Sequence, residues 1–298
     1  MLHLLAIISP DRTMPPAYLS LVVPVYNAAT RLPATLVAID QFRRVTSVPV
    51  EVVFVDDCST GDETASILDV YAKSRQGVTV LHNSVNRGKG YSVARGMLAA
   101  TGAYRVFTDV DLAYPLSESL KTLAALQGGN DVAVACRVLP DSRYLMSPTF
   151  FHYLYTRHLM SRGFNLMVRL TLLPGVLDTQ AGLKGFTADA ARRIFSRATI
   201  PGFGFDIECL YVARRLGLRV EQVAVEFRYD DEPTTVRLVR DSVRMIRDLL
   251  KVRWQGWRGR YTSPASMGAD QCMSIEEVPT AAPAPAPDRV ADAVARVS

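Results

Sequence analysis

LSLVVPVYNAATRLPATLVAIDQFRRVTSVPVEVVFVDD, residues 19–57, reads as strand, helix, strand. The runs over 19–25 and 50–55 are almost wholly apolar and rich in β-branched side chains. Strands that do not alternate with polar residues are covered on both faces, as in a parallel sheet. The residues between them, 30–44, carry apolar side chains at helical spacing. The alternation continues downstream, with strands expected over 78–82, 105–108 and 132–136 and helices over 62–73, 90–100 and 117–126. This predicts an α/β fold with a mostly parallel sheet and helices on both faces. Ligands of such sheets sit beyond the carboxyl ends of the strands. Five successive strand ends carry polar groups: Tyr26-Asn27, Asp56-Asp57, Asn83 to Lys89, Asp109 to Asp111, and Arg137.

The chain has 298 residues, 49% of them hydrophobic and 21% charged, a balance that excludes a wholly disordered protein. Its 34 Lys and Arg exceed its 29 Asp and Glu, for a net charge of +5. Beyond Ser263 the acids outnumber Arg289 and Arg296, so the preceding chain is more basic than this figure and suits an anionic partner. The alanine- and proline-rich stretch 263–298 reads as a disordered tail, 1–18 as a leader, and 19–262 as the folded domain. No apolar run reaches the length of a membrane span. Cys58, Cys136, Cys209 and Cys272 form no C-x-x-C pair and read as reduced thiols of a cytoplasmic protein.

Asp109-Val110-Asp111 places two carboxylates at i and i+2 where a strand becomes a loop. Oxygen ligands of this kind suit Mg²⁺ or Mn²⁺, which take further ligands from phosphates. Asp56-Asp57-Cys58-Ser59 ends another strand, and one of its acids could accept the imide N–H of uracil, while Asp62 serves the next helix start. Asn86-Arg87-Gly88-Lys89-Gly90 combines close backbone approach with positive charge for phosphates. Neither a Walker A loop nor a G-x-G-x-x-G fingerprint occurs, which disfavours ATPase and dehydrogenase chemistry.

Taken in order, Val23-Pro24-Val25-Tyr26-Asn27, Val55-Asp56-Asp57-Cys58-Ser59, Asn86-Arg87-Gly88-Lys89-Gly90, Thr108-Asp109-Val110-Asp111, Asp178-Thr179-Gln180-Ala181-Gly182 and Phe205-Asp206-Ile207-Glu208 resemble the family-2 glycosyltransferases. The resemblance spans residues 19–261 and is strongest to the branch that makes dolichyl- or polyprenyl-phosphate glucose, with the mannose synthases next. It implies a GT-A (Rossmann-like) fold, a UDP-sugar donor, Mg²⁺ or Mn²⁺, inversion at the anomeric carbon, and a polyprenyl or dolichyl phosphate acceptor. It further implies that Pro24, Tyr26 and one of Asp56 or Asp57 hold the nucleoside, that Arg87 and Lys89 face the diphosphate, and that Asp109 and Asp111 hold the metal. Arg137 and Arg157 would meet the acceptor phosphate, and Gln180 and Asp206 would line the sugar pocket. Two departures stand out: Ala28 where the family has Glu, and Ala113 where the mannose synthases have Gln. The second favours glucose.

An ionised lipid phosphate needs no general base, whereas a hydroxyl acceptor would need one, for which Asp178 or Asp206 could serve. Other readings are a transferase acting on such a hydroxyl acceptor, a non-catalytic nucleotide-sugar-binding module, and an aspartate-based phosphatase, whose nucleophile loop Thr108-Asp109-Val110-Asp111 resembles. For membrane contact, the acid-free stretch 142–177 and the run 236–254 are expected to dock on an anionic, cytoplasmic membrane face. In the latter, Val239, Val243, Ile246 and Leu250 run beside Arg240, Arg244, Arg247 and Lys251, a C-terminal amphipathic pattern. The competing expectation is an ordinary core-packing helix, with these segments serving as core and homo-oligomer surface. Nucleic acid is not an expected partner.

Overall fold

The structure, a computed structural model of the chain, describes residues 18–146, 163–229 and 238–262. Along the chain run β1 (Leu19–Val25), α1 (Leu32–Val45), β2 (Val50–Asp56), α2 (Thr64–Lys73), β3 (Val78–His82), α3 (Lys89–Ala99), β4 (Tyr104–Phe107), α4 (Glu118–Gln127) and β5 (Val132–Cys136). These match the expected elements to within two residues at each end. There follow β6 (Arg143–Met146), a helix α5 over 163–171, β7 (Lys184–Thr187), α6 (Ala188–Phe195), α7 (Phe205–Arg215), β8 (Val220–Ala224), β9 (Glu226–Tyr229) and α8 (Leu238–Trp257).

Seven strands form one sheet in the order β3-β2-β1-β4-β7-β5-β8. β1 pairs parallel with both β2 and β4, and β2 with β3. The exception is β7, which lies antiparallel between β4 and β5. β6 and β9 form a separate parallel pair. Alternate β1 residues serve opposite layers: Leu19, Leu21, Val23 and Val25 pack with Leu36, Ile39, Leu68 and Leu123 of α1, α2 and α4. Val22 and Val53 face the other way, into Val93 and Met97 of α3, Ile194 of α6, Leu210 of α7 and Val252 of α8. Burial of apolar groups on both faces is what the unbroken apolar strands require. Residues 1–17 of the leader, the tail, and 147–162 of the 142–177 stretch lie outside the described residues.

Among the described residues, three non-glycine residues take positive φ: Asn27 at 44°, Cys58 at 60° and Leu112 at 48°. Each lies in the loop leaving β1, β2 or β4. Left-handed backbone is unfavourable for a side chain such as Leu and collects at binding sites. The same carboxyl edge carries the polar clusters.

Candidate active site

The loop after β1 is fastened from the loop after β2. Ser59 Oγ accepts from Asn27 N–H at 2.9 Å, Thr64 Oγ1 from Ala28 N–H at 2.7 Å, and Asp62 Oδ2 from Ala29 N–H at 3.0 Å. Tyr26 is thereby left standing out from the edge, 51% exposed, while Pro24 is buried inside the strand. Ala28 is buried in the core below.

The two adjacent acids have separate tasks. Asp57 accepts from Asn83 Nδ2 at 2.7 Å and from the backbone N–H groups of Arg87 at 2.9 Å and Gly88 at 2.7 Å. Asn83 is held in turn by the buried Arg95 at 2.8 Å. Asp57 therefore shapes the glycine-rich loop from inside. Asp56 accepts from Ser59 N–H at 3.1 Å and pairs with His82 Nδ1 at 3.0 Å, and His82 Nε2 meets Asp69 at 3.0 Å. Burial opposes charge on both partners. The hydrogen bond to Asp56, with help from Asp69, nevertheless raises the His82 pKa to about 9, and the Asp56 carboxyl lies below its ordinary range.

Across the edge, Lys89 Nζ reaches Asp109 Oδ1 at 2.5 Å. Burial works against the Lys89 charge, but Asp109, Asp206 and Asp111 outweigh it and hold the ammonium above the usual lysine range. Crowding by protein atoms, then the Asp109 charge, pushes the Asp111 carboxyl up. Thr35 of α1 steadies this loop by donating to the Val110 carbonyl at 2.6 Å. Gly182 presses on the same carboxylate, and a Cβ there would overlap Asp109 Oδ2. Among the described residues, no group of three or more His, Cys, Asp or Glu could hold an ion. Asp109 and Asp111 are a two-carboxylate oxygen donor set, which fits Mg²⁺ or Mn²⁺ sharing its remaining positions with phosphate and water.

Two ion pairs complete the site. Arg137 grips Asp178 through Nε at 2.7 Å and a terminal nitrogen at 3.0 Å. Lys184, fully buried in β7, reaches Asp206 Oδ1 at 2.5 Å and the Ala181 carbonyl at 2.6 Å. Burial raises the Asp206 carboxyl, opposed by Lys184 and Lys89. Gln180 extends its side chain toward Met245 Sδ of α8, 3.9 Å away.

The structure brings Lys89, Asp109, Asp111 and Asp206 into one electrostatic cluster, while Arg87 sits over the Tyr91 ring at 4.9 Å and faces a groove against α8. Arg157 lies outside the described residues. Sequence reasoning missed Lys184. Its signal was a lone cation in the apolar run Leu183 to Phe186, which a strand tolerates only with a buried partner. His82 was missed as well, being read only as the last residue of a strand.

Comparison with known proteins places the chain. The model for "Glycosyl transferase family 2" matches residues 20–195. A dolichyl-phosphate beta-glucosyltransferase of Drosophila melanogaster is 34% identical over 72% of this chain and 68% of its own length. The Dictyostelium discoideum enzyme of the same name is 30% identical over 80% of this chain and 74% of its own, and the Homo sapiens one 31% over 83% and 78%. In fold the chain resembles glucosyl-3-phosphoglycerate synthase from Mycobacterium tuberculosis, solved with Mn²⁺ and UDP-glucose. That likeness has a TM-score of 0.58 and 23% identity, and covers 79% of each chain. With a mostly parallel GT-A sheet, paired carboxylates after β4 and relatives of this kind, the protein belongs to glycosyl transferase family 2 and is a glycosyltransferase.

Proposed function

We propose that the enzyme moves glucose from UDP-glucose to a polyprenyl or dolichyl phosphate, with inversion, at the cytoplasmic face of a membrane. The observation that carries this reading is that both carboxylates able to act as a base are engaged: Asp178 by Arg137 and Asp206 by Lys184. A hydroxyl acceptor needs a carboxylate free to take its proton. A phosphate acceptor is already ionised at neutral pH and needs none. The names of the relatives support the same acceptor.

In this reading Tyr26 covers the uracil over Pro24, and Asp56 accepts the imide N–H. Asp57 acts through the loop it holds. Asp109 and Asp111 hold the Mg²⁺ or Mn²⁺, which when bound neutralises the diphosphate and eases its departure. Lys89 lies between Asp109 and Asp206, placed to follow the charge that develops on the diphosphate. Arg137 is oriented along one edge by Asp178, which leaves guanidinium N–H groups for the acceptor phosphate. Arg157 is assigned to the same phosphate by family resemblance. Gln180 and Asp206 contact the sugar. An acceptor phosphate oxygen bonds to the anomeric carbon as the bond to the UDP oxygen breaks, and UDP leaves with the electron pair.

The membrane reading rests on α8. Its inner face buries Leu249, Val252 and Gln255, while Ile246, Leu250, Trp254 and Trp257 lie exposed at helical spacing. Aromatic and aliphatic residues beside Arg and Lys suit an interfacial helix. No helix among the described residues is long and apolar enough to cross a membrane. The decisive experiment is product formation from UDP-glucose, UDP-galactose, UDP-N-acetylglucosamine and GDP-mannose in competition, with a short-chain polyprenyl phosphate acceptor. UDP-glucose should dominate. Preference for GDP-mannose, or transfer to hydroxyl acceptors alone, would overturn the reading.

A further inference from the structure

α8 does more than present an apolar edge. Its next face forms a groove of about 560 Å³ with the 86–88 loop and Pro201-Gly202. Arg87, Arg244, Arg247 and Lys251 line it, against one acid, Asp248. Arg244, Arg247 and Lys251 take part in no ion pair among the described residues, although elsewhere in the molecule Arg75, Arg137 and Lys184 are each matched to an aspartate. Arg244, Arg247 and Lys251 all act on the one Asp248 carboxylate, so the concavity keeps an excess of positive charge, which a multiply charged anion would relieve. Lys89 turns to Asp109 on the carboxylate side, whereas Arg87 faces the groove.

We infer that the groove binds the phosphate headgroup of an anionic membrane lipid, separately from the carboxylate centre. This rests on the membrane reading above and adds a specific ligand to it. The observation that favours a lipid is continuity. At 100° per residue, Ile246, Leu250, Trp254 and Trp257 form a stripe directly beside Arg247 and Lys251. These four side chains are 45%, 64%, 51% and 85% exposed. A molecule with a phosphate joined to hydrocarbon meets both surfaces at once, with the headgroup in the groove and the chains along the stripe. Since Arg87 opens the glycine-rich loop that Asp57 holds, the headgroup would also touch the element that carries Lys89.

The test is flotation of the full chain with vesicles of neutral phosphatidylcholine, doped with either phosphatidylglycerol or phosphatidate at matched surface charge. A diffuse basic surface responds to charge density alone, whereas a groove of converging cations selects the phosphomonoester. Phosphatidate should be preferred by on the order of tenfold. The Arg247→Ala/Lys251→Ala variant should lose that preference, while Arg258→Ala, which changes the cation over the Trp254 ring outside the groove, should keep it. Equal binding at matched charge, or a preference that survives the double change, overturns the groove and leaves the membrane reading standing. Failure of the unaltered chain to float with any vesicle overturns both. Turnover with a detergent-soluble polyprenyl phosphate separates the two sources of phosphate. An unchanged acceptor KM in the double variant supports a membrane lipid, and a raised KM gives the groove to the acceptor and overturns the inference.

Discussion

Removing the Lys184 ammonium leaves Asp206, at the start of α7, buried without its hydrogen-bonded cation and with the charge of Lys89 at longer range. Lys184→Met should therefore destabilise the domain by about 3–5 kcal/mol, read from the urea midpoint. If the pair matters for stability only through this mismatch, Lys184→Met/Asp206→Leu should regain most of the loss yet remain unable to turn over substrate. His82 offers a different measurement. Its pKa is about 9 in the folded chain and 6.5 in the unfolded one. The stabilisation this provides is complete below 6.5 and disappears as pH rises through about 9. His82→Gln should flatten the fall in stability across that interval, and an unchanged slope would show that another group titrates there.

Among the elements, α8 divides its labour by face. Its inner edge is tied down by a buried network. Glu208 accepts from Thr199 N–H, Ile200 N–H at 2.8 Å and the Tyr261 hydroxyl at 2.8 Å, and that hydroxyl lies 2.6 Å from Gln255 Oε1. Burial raises the Glu208 carboxyl, so the hydrogen bonds are what keep it in place. The outer stripe stays largely exposed, with Arg258 lying over the Trp254 ring. Trp254→Ala/Trp257→Ala should change unfolding stability by no more than about 0.5 kcal/mol per residue, as for ordinary surface positions. The same change should sharply weaken vesicle flotation. A large loss of stability would mean that the stripe belongs to the core of an oligomer.

At the scale of the whole molecule, donor and metal should act together on stability. A ligand that binds only the folded chain at about a hundredfold its Kd stabilises by roughly 2.7 kcal/mol, which in a domain of this size raises Tm by roughly 5–10 °C. UDP with Mn²⁺ should produce such a shift, more than either produces alone, and EDTA should reverse it. Additive shifts would mean that Asp109 and Asp111 do not share the ion with the diphosphate.

The first five strands and four helices were legible because their signal is local. Unbroken apolar runs, helical spacing and polar strand ends are properties of neighbouring residues, and the parallel sheet follows from them. Asp109, Asp111 and Lys89 could be singled out for the same reason, each marking a loop where a strand stops. β7 was not legible, since four residues with a central glycine carry little pattern and their place between β4 and β5 comes from pairing with distant segments. Nor does sequence separate Asp56, held by His82, from Asp57, which holds the glycine-rich loop. Adjacent side chains on a strand point to opposite faces, and only the folded neighbours distinguish their tasks. Lys184 and Asp206 are 22 residues apart, and Arg87 is much further in sequence from the α8 cations it meets across the groove. The sequence by itself determined the sheet and which residue types gather at its edge. Tertiary structure alone decided which charges meet, because ion pairing depends on distance through space and local pattern contains no term for it.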